Sequence, residues 1–62
     1  MKPLTNNLEL HTAAANRKEI AVLIRKERIG KGVITDITEA SVKIGDEWFM
    51  RENCSFWLET SK

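Results

Sequence analysis

The segment IGKGVITDI, residues 29–37, decides the fold of this chain. Its β-branched residues favour a strand, on which neighbouring side chains point to opposite faces. The odd-numbered residues therefore share one face, while Gly30, Gly32, Ile34 and Asp36 share the other. Two glycines on one face remove side chains there, which is typical of a sharp bend or of the close approach of another part of the backbone. The segment predicts a long strand that bends strongly at its glycines.

Shorter strands are predicted on both sides of this segment. The branched run at residues 20–24 has no helical period and indicates a strand covered on both faces. Gly45 and Asp46 form a two-residue loop of the kind that closes a hairpin. The remaining strands are predicted at residues 41–44, 47–51 and 54–60, with polar turns at 26–28 and 38–40.

A short helix is predicted ahead of the strands, over about residues 6–16. Asn6 is a suitable N-cap, Glu9 stands where the acid of a capping box belongs, and the alanines at 13–15 favour a helix. The alternative is a strand, because the apolar residues at 8 and 10 alternate with Glu9 and His11. Residues 1–3 are predicted to be a frayed leader.

These elements predict a mainly β fold with one short N-terminal helix. A small five-stranded, strongly bent antiparallel sheet that closes into a barrel over about residues 19–60 is the expected architecture. At 62 residues the chain is expected to be a single domain, 1–62, with a thin margin of stability.

The composition favours a globular protein in a reducing compartment. Apolar residues make up 42% and charged residues 31% of the chain. The longest apolar run, residues 20–24, is far shorter than the roughly 20 residues that span a bilayer. Cys54 is the only cysteine, which excludes an internal disulfide. We expect a cytoplasmic location and no membrane partner.

The residues that usually carry catalysis or bind metals are scarce. His11 is the only histidine, and with Cys54 it does not supply the four ligands of a zinc site. The glycines at 30 and 32 do not form a phosphate-binding loop, because they do not lie between a strand and a helix. We therefore expect no enzymatic activity, no metal and no cofactor.

The basic residues are concentrated in the first half of the chain, although the net charge is only +1. Six of them lie within residues 17–31. This cluster is either an ordinary solvated surface or a patch that faces an anion. The candidate contacts to phosphate or to an acidic partner are Arg25, Lys26, Arg28, Lys31 and Arg51.

All four aromatic residues lie within residues 48–57. Because Glu47 and Arg51 share a strand face with Phe49, we expect Phe49 in solvent and Trp48 with Met50 in the core. Exposed aromatic side chains on strands stack bases of single-stranded RNA or anchor protein interfaces. The candidates for an aromatic contact or a subunit interface are Phe49, Phe56 and Trp57.

The layout resembles the Sm-like family of Hfq and its relatives, on the residues Gly32, Ile34 and Ile37 and on the run 49–51, Phe-Met-Arg. It also resembles the Sm-like Rho inhibitor Rof, through NLEL at 7–10, ITDI at 34–37 and SF at 55–56. The resemblance implies a small barrel that binds RNA or a protein of the transcription machinery, and self-association through the last strands.

Three hypotheses for function follow. The first is a regulatory module of RNA metabolism or transcription that binds RNA through its basic and aromatic residues. The second is a protein-binding modulator similar to Rof. The third is a small structural or phage-type protein with no nucleic-acid role.

Overall fold

A computed structural model describes residues 2–59 of the protein, which contain one helix and six strands. The elements are β1 (Lys2–Leu4), α1 (Asn7–Ala15), β2 (Glu19–Ile24), β3 (Glu27–Ile37), β4 (Ser41–Ile44), β5 (Glu47–Met50) and β6 (Ser55–Leu58). The predicted mainly β class with one N-terminal helix is confirmed. The predicted end of the last strand at Thr60 lies outside the described residues.

All six strands form one antiparallel sheet in the order β1-β6-β2-β3-β4-β5. The sheet has six strands where five were predicted, because Lys2–Leu4 pairs with β6. The prediction of a frayed leader at residues 1–3 is therefore wrong for residues 2 and 3. Among residues 2–59 no pairing joins the two end strands, β1 and β5, so closure into a barrel is not observed.

The strand β3, for which a strong bend was predicted, changes its pairing partner along its length. Its first part pairs with β2 up to Val33, and its last part pairs with β4 from Ile34 onward. A Cβ on Gly30 would lie 3.2 Å from Cζ of Phe49. A Cβ on Gly32 would lie 3.0 Å from Cγ2 of Ile44. The two glycines thus allow the second half of the sheet to pack closely over the first, as their spacing predicted.

The helix begins and ends as its sequence predicts. Asn6 Oδ1 accepts a hydrogen bond from the Glu9 backbone N–H at 2.9 Å, and Glu9 Oε1 accepts one from the Thr5 backbone N–H at 2.7 Å. At the other end Arg17 has φ 54°, and the N–H of Lys18 donates to a carbonyl five residues back, which is a Schellman ending. The strand alternative for this segment is wrong.

The core lies between the two halves of the sheet and under the helix. It consists of Leu10, Ala13, Ile20, Val22, Ile34, Val42, Ile44, Phe49 and Phe56. No helix in the described part of the chain is long and apolar enough to cross a membrane.

Candidate functional site

Arg25 and Lys26 form the two-residue tip of the hairpin between β2 and β3. Their φ angles are 51° and 71°, the positive values of a type I′ turn, which favours Asn and Gly. An L-residue in this conformation costs about 1–2 kcal/mol. Both side chains are exposed. The tip therefore places two positively charged side chains in solvent, at positions where Asn or Gly would make the protein more stable.

Arg28 and Lys31 lie on β3 beyond this tip, and each is close to a carboxylate. Arg28 Nη2 is 2.6 Å from Oε2 of Glu59, and Lys31 Nζ is 3.9 Å from Oε2 of Glu19. The first contact is a close ion pair, and within residues 2–59 Oε2 of Glu59 has no aligned hydrogen bond. Among residues 2–59 no ion pair involves the two tip residues, although Glu27 follows them directly in the chain.

Trp57 on β6 lies on the same sheet face as these two β3 cations. In the strand register Trp57 is opposite Ala21, and Ala21 is opposite Lys31. Adjacent strands are about 4.8 Å apart, so Trp57 and Lys31 stand roughly 10 Å apart across β2. The next row on this face is Ser55, Leu23 and Arg28. We call Arg25, Lys26, Arg28, Lys31 and Trp57 the basic–aromatic face.

The indole of Trp57 is held in a defined orientation. Its Nε1–H donates to Oγ of Ser55 at 3.0 Å, and the Ser55 hydroxyl donates to the carbonyl of Leu23 at 3.2 Å. The ring is half-buried. Because its polar edge is already bonded, the accessible part of the ring is an apolar surface that is ordered before any ligand arrives.

Phe49 and Phe56 are core residues rather than contact residues. They are 8% and 4% exposed, whereas Trp48 and Met50 are 49% and 46% exposed. The predicted assignment of the two faces of β5 is therefore wrong. Its premise was that the charges of Glu47 and Arg51 mark the outer face of the strand. Glu47 is the first residue of the four-residue β5 and Arg51 follows its last residue, so both charged groups reach polar surroundings at the strand ends whichever face they share.

The register of the β4–β5 hairpin explains the true assignment. With Gly45 and Asp46 as the loop, Val42 is opposite Phe49 and Lys43 is opposite Trp48. Residues opposite each other share a face, so the buried Val42 brings Phe49 into the core. Lys43 Nζ lies 5.9 Å from the Trp48 ring centroid on the outer face. Trp48 and Met50 are the functional candidates that sequence reasoning missed, and the hairpin register would have identified them.

Arg51 is separated from the other predicted basic residues and has a structural role. It follows β5, where its backbone N–H donates to the carbonyl of Ala40 at 2.8 Å. Its Nη1 donates to the carbonyls of Thr38 at 3.0 Å and Glu39 at 3.4 Å. The side chain is half-buried and holds the turn between β3 and β4.

The remaining polar candidates do not form a reactive cluster in the described part of the chain. His11 and Asp36 line an open groove of about 410 Å³ between α1 and β3. Burial raises the pKa of the Cys54 thiol, which keeps it in the less reactive protonated form near neutral pH. Residues 2–59 contain no group of three or more His, Cys, Asp or Glu that could hold a metal ion.

Comparisons with protein-family models, with curated proteins and with solved structures find no match to this chain.

Proposed function

We propose that this protein is a non-catalytic binding module of RNA metabolism or transcription, which holds single-stranded RNA on the basic–aromatic face. Phosphates contact the exposed cations of the hairpin tip, and a base stacks on Trp57. Proteins that bind single strands combine these two features, a basic surface for the backbone and an aromatic platform for bases.

The observation that carries the proposal is the register that places Trp57 and Lys31 on one face, roughly 10 Å apart. A second observation is the strained tip. Positive φ at two successive basic residues costs stability, and such strain concentrates at binding sites. Arg28 and Lys31 add two positive charges to the same face, although the neighbouring carboxylates of Glu59 and Glu19 lower its net charge.

The proposal includes an Sm-like fold. A helix is followed by five consecutive antiparallel strands. The longest of them, β3, changes its pairing partner from β2 to β4 just after its two glycines. This arrangement supports the resemblance to Hfq and Rof. The additional strand β1 departs from the five-strand pattern and occupies the outer edge of β6.

The test is the binding of a fluorescently labelled single-stranded RNA, followed by anisotropy over a range of salt concentrations. If three or four cations contact phosphates, the logarithm of the affinity should fall with the logarithm of salt with a slope of about −2 to −3. Trp57→Ala should weaken binding by about 1–3 kcal/mol, the usual contribution of base stacking. The matched control is Trp48→Ala, which truncates the other accessible tryptophan and should leave binding unchanged.

The contribution of the tip is tested by replacing Arg25 with Asn and Lys26 with Gly. This variant should be more stable than the wild type, because Asn and Gly suit the turn. It should nevertheless bind RNA less tightly, and because two phosphate contacts are lost the salt slope should be smaller by about 1.4. Arg17→Gly with Lys43→Gln removes the same charge elsewhere and serves as the control. Equal RNA binding by the wild type and the tip variant would contradict the proposal.

A protein of the RNA or transcription machinery is the second candidate for the same face. Glu19 and Glu59 give it mixed charge, which suits a protein surface better than a phosphate backbone. A pull-down with and without RNase separates the two. A partner that is lost on RNase treatment supports RNA, and a partner that persists and depends on Trp57 supports the protein interface.

A further inference from the structure

The edge of β5 differs from the other end of the sheet. β5 is a terminal strand in the sheet order. At the opposite end, β1 has only three residues and contains Pro3, and short strands and proline are the usual protection of a sheet edge. β6 is paired on both sides, with β1 and with β2. β5 is only one residue longer, with four residues, but it contains no proline, so every one of its residues keeps a backbone N–H.

The apolar surface is concentrated on the same strand. The large apolar side chains exposed in the described chain are Leu8, Ile29, Trp48 and Met50. Two of these four belong to β5, which is four residues long. Exposed apolar side chains beside unpaired backbone groups form a template for another strand.

The hydrogen-bond parity of the hairpin shows which backbone groups are available. Glu47 is opposite Ile44, and Phe49 is opposite Val42. In a hairpin with a two-residue loop, the residues of each of these pairs form backbone hydrogen bonds with each other. The bond from Arg51 N–H to the Ala40 carbonyl continues this parity. The backbone N–H groups of the intervening residues, Trp48 and Met50, therefore point away from β4 toward the open edge.

We propose that β5 pairs antiparallel with β5 of a second copy of this chain, about a twofold axis at Phe49. The sequence of residues 47–51, Glu-Trp-Phe-Met-Arg, is self-complementary in this register. Glu47 stands opposite Arg51 of the second copy, and Trp48 stands opposite Met50. Opposite charges on facing strands attract, and a thioether beside an aromatic ring is a favourable contact.

This register of the two β5 strands places the outward-pointing backbone groups of Trp48 and Met50 opposite each other. The Met50 N–H of each copy donates to the Trp48 carbonyl of the other, which gives two main-chain bonds across the axis. The Met50 carbonyl already accepts bonds from Asn53 and Cys54. Arg51 uses only Nη1 for the turn carbonyls, and a guanidinium has five N–H donors, so it can also face Glu47 of the second copy.

This interface does not overlap the basic–aromatic face, which involves β2, β3 and β6. A dimer would therefore present two such faces, and it stands or falls independently of RNA binding. Two short strands bury less area than a standard interface, so we expect a weak dimer with a dissociation constant in the micromolar range.

The test is sedimentation velocity of the full chain over a wide range of concentration. Wild type should pass from monomer to dimer. Trp48→Gln should weaken the dimer about tenfold or more, since buried aromatic anchors carry most of an interface's affinity. Met50→Pro should abolish it while keeping the fold, because the lost N–H points away from β4 and proline is tolerated there. Leu8→Gln, which changes another exposed apolar side chain, should dimerise like the wild type.

Two further measurements make the geometry specific. Amide exchange of Met50 should slow as concentration rises, whereas Phe49, whose N–H faces β4, should be protected at every concentration. Glu47→Lys should weaken the dimer, since it places two cations opposite each other, and Glu52→Lys should not. A wild type that stays monomeric, or a dimer unaffected by both Trp48→Gln and Met50→Pro, would overturn the proposal. A dimer that is sensitive to Trp48→Gln but not to Glu47→Lys would overturn the register.

Discussion

Phe49→Ala should remove most of the stability of this protein. The ring is 8% exposed, and its Cζ lies 3.2 Å from the position of a Cβ on Gly30. Truncation of a buried phenylalanine costs about 3–5 kcal/mol, and more when neighbours cannot fill the space. Gly30 has no side chain with which to fill it, so we expect the upper part of this range. A chain of 62 residues has a total stability of only about 3–9 kcal/mol.

The assay is urea denaturation followed by far-ultraviolet circular dichroism. The wild type should unfold in one transition, and Phe49→Ala should be largely unfolded without denaturant or melt more than about 15 °C lower. Trp48→Ala is the control, because this neighbour is 49% exposed on the opposite face, and its cost should stay near 1 kcal/mol or below.

A double-mutant cycle tests the contact itself. Gly30→Ala alone should destabilise the protein by about 1–2 kcal/mol, because the added methyl crowds the Phe49 ring. In the Phe49→Ala background the same methyl partly fills the vacated space and should raise the folded fraction and the melting temperature, so the effect of Gly30→Ala should have opposite signs in the two backgrounds. If the two changes are additive, or if Trp48→Ala costs more than Phe49→Ala, the assignment of faces is refuted.

Three further changes test the bend and the two ends of the helix. Gly32→Val should cost at least about 2 kcal/mol, because Gly32 has φ 155° and its new Cβ would meet Ile44 at 3.0 Å; an unchanged urea midpoint would contradict the crowded bend. Arg17→Gly should raise stability by about 0.5–1 kcal/mol, since glycine adopts the left-handed conformation without strain; a lower melting temperature would show that the arginine side chain has another role. The hydrogen bond from the Thr5 N–H holds the pKa of Glu9 below its usual value. The stability from this cap is thus present above the unfolded pKa of 4.5 and lost as the pH falls through the lower folded value. Glu9→Gln should flatten that part of the stability–pH profile, and identical profiles would exclude the cap as its source.

Local signals in the sequence were sufficient for most of the secondary structure. The β-branched residues and glycine spacing of residues 29–37 predicted a long strand with close contacts at its glycines, Gly45-Asp46 predicted the hairpin, and Asn6 with Glu9 predicted the start of the helix. Each depends on backbone conformation or on hydrogen bonds between residues at most a few positions apart. The basic cluster at residues 25–31 was also visible, because the tip and both β3 cations are adjacent in the chain.

The faces and edges were decided by tertiary structure. Lys2–Leu4 is a strand only because β6 lies beside it, and no local pattern in three residues indicates that partner. Trp57 lies on the same face as Arg28 and Lys31 because β6 pairs with β2, although the paired residues are more than thirty positions apart in the chain. For the other segments, the residue types alone determined which form strands and which form the helix, because secondary-structure preferences are local. Which side chains meet, and which strand keeps an open edge, depended on long-range pairing, whose free energy comes from burying the whole core at once.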